Sequence, residues 1–216
     1  MPTNNDLHYL VKKRLGEPLP GWAAQSKLEP ITRRQTLQSQ AVDRPIPRES
    51  AVMILLHFLG SEPSLLFIQR AVYDGVHSGQ VAFPGGGYEL ADNSLLMTAQ
   101  RETLEETGIV VPDQAVIGKL TPLYIPPSNF NVHPFVGFLP ELPPLKPDPK
   151  EVGLIFTVPL NDLMQQGYIQ QKTITAGDGL VYEIPCYVIG SHIIWGATSM
   201  ILSEFLEVIR WATESV

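Results

Sequence analysis

The chain has 216 residues, 44% hydrophobic and 17% charged, which suits one sizeable core and excludes a disordered or fibrous protein. A formal charge of −7 argues against nucleic-acid binding, which rests on Lys and Arg unless metal ions mediate. No apolar run approaches the roughly 20 residues that span a bilayer, and a lone cysteine, Cys186, rules out an internal disulfide and suits a reducing compartment, here the cytoplasm.

Residues 1–48 read as an N-terminal extension. "NNDLHYLVKKRL" fits a short helix, "LHYLVKKRLGEPLP" has no signal-peptide character, and "ITRRQTLQSQAVDRPIPRES" reads as irregular chain. The main domain, 49–216, opens with strand-like runs at 51–59, 64–70 and 80–84, the first two joined by the turn signal "GSEP". A helix is expected over 94–107, capped by Asp92, Asn93 or Ser94 and stopped by Gly108. Further strand-like runs fall at 115–125, 132–139, 152–159 and 180–189. "PLNDLMQQG" suggests a short helix capped near Asn161 or Asp162. The chain closes on a helix at 197–214, with Ile201, Phe205 and Ile209 on one stripe. Strands with few interposed helices imply an α+β fold, a mixed and mainly antiparallel sheet covered on both faces. Cys186 and Trp195 read as core filling.

The stretch "PGGGYELADNSLLMTAQRETLEETGIVV", 84–111, carries the chemistry. Alone, "RETLEE" is a solvated helix face with Arg101 supporting Glu105 one turn on. Yet Leu95, Ala99, Glu102 and Glu106 lie within about 60° of one another, so an apolar stripe continues as carboxylates. Acids sunk against a sheet resist ionisation through desolvation and mutual repulsion. A hard divalent cation removes that cost, and glutamates without His or Cys partners suit Mg²⁺ or Mn²⁺ better than zinc. Glycines 85–87 alone read as a flexible turn. Beside these acids they let backbone approach a metal or phosphate, with a carbonyl as a further hard ligand.

This stretch resembles the Nudix box, the loop–helix–loop signature of Nudix hydrolases. Arg101, Glu102, Glu105, Glu106 and Gly108 match its Arg-Glu-x-x-Glu-Glu-x-Gly half. Thr103 stands where a hydrophobic residue is usual, and Asn93 where an acid pairs with the box arginine; Asp92 can serve with a one-residue slip. Upstream, "LFIQRAVYDGVHSGQVAFPGG" resembles the coenzyme A diphosphatase signature at Leu66, Arg70, Ala71, Gly79, Phe83, Pro84, Gly85 and Gly86. It departs at Ile68, for a threonine, and at Gly75, for an arginine. "VHPFVGFL" and "IIWGATSMIL" resemble further segments of that group, so the resemblance spans about residues 50–212.

The resemblance implies an α/β/α sandwich and water attack on a diphosphate. With coenzyme A, the products would be 3′,5′-ADP and 4′-phosphopantetheine. It implies Glu102 and Glu106 as ligands of Mg²⁺ or Mn²⁺, with the Gly86 carbonyl as an additional one. Glu105 is either a third ligand or the general base, grouped with Arg101 at the catalytic centre; Glu141 and Glu151 are weaker candidates for the base. Arg70, His77 and Gly85 are expected at the substrate. The expected partner is a small nucleotide diphosphate of coenzyme A type, with a homodimer common in the family. Another diphosphate such as NADH or ADP-ribose is the nearest alternative, and a non-catalytic nucleotide-binding module the more distant one.

Overall fold

The computed structural model describes residues 4–39, 46–72, 78–175 and 181–214. His77 and Gly75 lie outside the described residues. The N-terminal segment forms α1 (Asn4–Leu15), a single turn α2 (Trp22–Gln25) and α3 (Ile31–Ser39). The third of these replaces part of the irregular chain expected there.

The main sheet is built from β1 (Arg48–Leu59), β2 (Glu62–Arg70), β3 (Val81–Ala82), β4 (Gly85–Gly87), β5 (Val116–Lys119), β6 (Leu123–Ile125), β7 (Phe130–Leu139) and β8 (Val152–Pro159). Its spine runs β3-β2-β1-β7-β5, with β4 on β1, β6 on β7 and β8 on β2. Only the β1–β7 pair is parallel among the described ladders; the rest are antiparallel, as expected of a mixed sheet. A separate sheet holds β9 (Ile169–Thr175), β10 (Val181–Ile189) and β11 (His192–Trp195).

Helix α4 (Leu95–Thr107) covers one face of the main sheet, where Ala99 packs with Ala51, Met53, Leu55 and Leu66. The other face meets α6 (Gly196–Glu214) and α1 through Ile54, Leu56, Phe67, Phe205, Leu7 and Val11. Strand alternation produces the two faces, since successive residues of β1 point to opposite sides.

The elements depart from the sequence reading in several places, and the expected strand at 80–84 is reduced to β3 with β4 following it. The run 115–125 breaks into β5 and β6 because Pro122 has no N–H to extend the ladder. The short helix α5 (Leu160–Met164) starts after Pro159, with no side-chain cap from Asn161 or Asp162. Strand β9, "IQQKTIT", is too polar to announce itself by apolar alternation and owes its place to pairing with β10.

The expected stripe on α6 is buried at Ile201, Phe205 and Ile209, but so are Glu204, Ser203 and Val208. The additional cover comes from the N-terminal segment. Glu204 accepts from Gln25 Nε2 (2.8 Å), Gly21 N (3.0 Å) and Thr121 Oγ1 (2.7 Å), so a fully buried carboxylate is hydrogen-bonded on both oxygens. Gln25 Nε2 also donates to Thr121 O at 2.9 Å. Replacing Glu204 by alanine strands these buried donors. We expect Glu204→Ala to cost about 3 kcal/mol, a fall in Tm of about 6–12 °C for a chain of this size. A loss below about 1 kcal/mol in urea unfolding would show that water replaces the carboxylate.

Candidate metal and catalytic site

The site begins with close approach of backbone to backbone. Strand β4 pairs with β1 through Gly85–Val52, Gly86–Ala51 and Gly87–Ser50. A Cβ at Gly85 would strike Ala51 O and the Val52 backbone, and one at Gly86 would strike the Glu102 carboxyl. The triple glycine is therefore a strand with neighbours where side chains would be, and not a loose turn.

Helix α4 is fixed at both ends. Ser94 Oγ accepts from Met97 N at 3.2 Å, while Gly108, at φ 77°, donates its N–H to Leu104 O at 2.8 Å. Thr103 is fully buried with its hydroxyl donating to Ala99 O at 2.6 Å, which accounts for a hydroxyl residue where an apolar one is usual.

Arg101 organises the loop before this helix. Its Nε and Nη2 donate to the two oxygens of Asp92, each at 3.0 Å, and Nη2 reaches Gly87 O at 3.1 Å. Asp92 thus takes the pairing role that the sequence left between Asp92 and Asn93. Thr98 Oγ1 (2.8 Å) and Glu89 N (3.1 Å) also donate to Asp92. The Arg101 hydrogen bonds, helped by these donors, hold the Asp92 carboxyl down at about 2. The remaining nitrogen, Nη1, serves Glu102 Oε1 (2.9 Å) and Glu105 Oε2 (3.0 Å).

Glu106 is 1% exposed. Its Oε2 accepts from Gly85 N at 2.8 Å and its Oε1 lies 3.5 Å from Arg70 Nη1. Burial outweighs both contacts and pushes this carboxyl up to about 8; burial also raises Glu102. Glu151 completes the group: one carboxylate oxygen each from Glu102, Glu106 and Glu151 lie within 4.8 Å of one another. Three hard oxygen donors, two of them disfavoured as bare anions, suit a divalent cation of the magnesium type.

The expected residues sort accordingly. Glu102, Glu106, Gly86 and Arg70 come together. Gly85 is adjacent, with its N–H committed to Glu106. Glu105 stands apart from the carboxylate cluster, 53% exposed and held by Arg101. Glu151, read in sequence only as a weaker candidate, is delivered by topology: β8 pairs with β2, Arg70 opposite Val152, and Ala71 N donates to Glu151 O at 2.8 Å. No local motif marks it. Glu141 is exposed and belongs to no carboxylate cluster among the described residues. Arg70 Nε is buried without a hydrogen-bond partner, leaving donor capacity beside the cluster.

The NUDIX domain family matches residues 47–177, which contain the whole of this arrangement. The chain belongs to the Nudix hydrolase family. This Nudix hydrolase is 35% identical over 176 residues to the mitochondrial coenzyme A diphosphatase NUDT8 of Homo sapiens, covering 79% of this chain and 73% of that protein. It is 33% identical over 177 residues to NudL of Salmonella dublin, an uncharacterized Nudix hydrolase, covering 81% and 90%. Among solved structures, a MutT/nudix family protein from Enterococcus faecalis shares the fold at a TM-score of 0.54 and 19% identity, covering 82% of this chain and 69% of that one. A MutT protein from Methanosarcina mazei gives 0.51 at 17% identity, covering 80% and 99%. No helix among the described residues is long and apolar enough to cross a membrane.

The Asp92–Arg101 pair has a defined pH signature. Asp92 falls from 3.8 to about 2 on folding, so its contribution is complete above about pH 4 and fades as pH drops toward 2. Asp92→Asn should cost about 3 kcal/mol near neutrality. The gap to wild type should narrow as pH falls through that window. Urea unfolding across it checks this, and a gap independent of pH would assign the loss to packing.

Proposed function

We propose that this enzyme hydrolyses the diphosphate of coenzyme A or its derivatives, giving 3′,5′-ADP and 4′-phosphopantetheine or its acylated form. One observation carries the reading: the Glu102–Glu106–Glu151 cluster sits in a chain 35% identical to a coenzyme A diphosphatase over most of its length. The retained carboxylates favour an enzyme over a non-catalytic nucleotide-binding module. The setting we propose is the cytoplasm, in keeping with the lone, buried Cys186.

Glu102, Glu106 and Glu151 would hold Mg²⁺ or Mn²⁺, with the Gly86 carbonyl as the backbone ligand. Such a cation, when bound, neutralises diphosphate oxygens and lowers the pKa of an attacking water. The protein's own groups then divide the work. Arg70, whose side chain is 28% exposed beside Glu106, offers its guanidinium to a substrate phosphate. Arg101 keeps Glu102 and Glu105 in place. Because Glu151 fills the third carboxylate position, Glu105 is left to take the proton of the attacking water. Positioning and electrostatics supply most of the rate, since the reaction needs no covalent intermediate.

The deciving experiment for the substrate is a panel of coenzyme A, acetyl-coenzyme A, NADH and ADP-ribose with Mg²⁺ or Mn²⁺, products resolved by chromatography. Release of 3′,5′-ADP from coenzyme A, lowered more than about a hundredfold by Glu106→Gln, is expected. Cleavage of NADH or ADP-ribose alone would discard the coenzyme. A second comparison separates ligand from base. Glu151→Gln should weaken Mn²⁺ binding in a direct titration, while Glu105→Gln should lower kcat with Mn²⁺ affinity unchanged. The reverse pattern would exchange their roles.

A further inference from the structure

Glu49, Asn131 and His133 form a hydrogen-bonded group that neither the metal cluster nor the core uses. Register puts it on the reactive side of the sheet. Gly86 pairs with Ala51 and Ala51 with His133, while Glu49 pairs with Asn131. Residues opposite one another across a ladder share a face, and the Gly86 position of this row faces Glu102. His133 and Glu49 therefore rise from the same face that carries α4. Two strand spacings separate His133 from Gly86, roughly 10 Å, which is the reach of a nucleoside attached to a diphosphate held at the cluster.

Chemistry fixes where the protons lie. Glu49 Oε2 is 2.6 Å from His133 Nε2 and 3.2 Å from Asn131 Nδ2. An ionised carboxylate only accepts, so Nε2 carries its proton toward Glu49. An amide nitrogen only donates, so the 3.1 Å approach of Asn131 Nδ2 to that same Nε2 is a contact and not a hydrogen bond. His133 Nδ1, Glu49 Oε1 and Asn131 Oδ1 then remain without partners among the described residues. Both the imidazole and the carboxylate reach solvent, His133 at 25% and Glu49 at 45% exposure. Tyr88 N donates to Glu49 O at 2.9 Å, extending the β4–β1 pairing by a residue, and its side chain is exposed beside the group.

We propose that Glu49, Asn131 and His133, with the Tyr88 ring, bind the adenosine half of the substrate. The free acceptors suit the hydrogen-bond donors of a purine amine or a ribose hydroxyl, and an exposed aromatic ring offers a stacking face. The group contains no Lys or Arg, so it does not suit a phosphate. This assignment deepens the function proposed above and rests on a nucleoside diphosphate being the substrate.

The test measures KM and kcat of His133→Ala and Glu49→Gln on each panel substrate the wild type cleaves, with 5′-AMP and 4′-phosphopantetheine as competing ligands. KM and the inhibition constant of 5′-AMP should each rise about tenfold, the effect of one lost hydrogen bond. The inhibition constant of 4′-phosphopantetheine and kcat should stay within about twofold, and His133→Gln, which keeps an acceptor, should recover part of the loss. Unchanged constants, a rise confined to 4′-phosphopantetheine, or a fall in kcat at constant KM would overturn the assignment. NADH and ADP-ribose also carry adenosine diphosphate. If they are cleaved and coenzyme A is not, the coenzyme reading fails while the adenosine site is still decided on them.

Discussion

The site depends on how one guanidinium is shared. Arg101 gives two nitrogens to Asp92, one of them also to Gly87 O, and its third nitrogen to Glu102 and Glu105. Its planar set of donors can do this because they point in fixed, diverging directions. The loop, the glycine strand and the helix are thereby held to a single geometry. A lysine could neutralise one of these acids but could not align three structural pieces at once.

The second constraint is room. Gly86 leaves the space that the Glu102 carboxyl occupies, and Gly85 lies so close to β1 that its amide points at Glu106. Both acids are consequently withdrawn from water before any cation arrives, and burial lifts their proton affinity. Such a site resists ionisation alone and gains most from a cation that brings its own charge. The protein holds this unfavourable arrangement because the surrounding core, from Met53 and Leu55 to Ala99 and Ile109, packs around it.

Helix α4 was legible because its signals are local: a serine cap, a terminal glycine, and acids continuing an apolar stripe. The separation of Glu105 from the cluster was harder to see. It follows from Arg101 holding Glu105 outward, a contact that spacing permits but does not require. Glu151 was legible only as a weaker candidate and His133 only as part of a resembling segment, because each reaches its place through strand pairing between distant segments. The N-terminal segment was opaque for the same reason. Leu7 and Val11 look like the apolar side of any short helix, and their complete burial comes from distant elements, α6 above all and the sheet beside it.

That last contact bears on how the chain is made. Gly21 and Glu204 are 183 positions apart, and the parallel β1–β7 pair joins Arg48 to Phe130. Contacts this distant in sequence form late, since the long loops must close first. Helices α1 and α2 are synthesised long before α6, so the part of their apolar surface that packs on α6 stays uncovered until α6 follows. Until then the growing chain carries apolar helix surface that favours wrong associations.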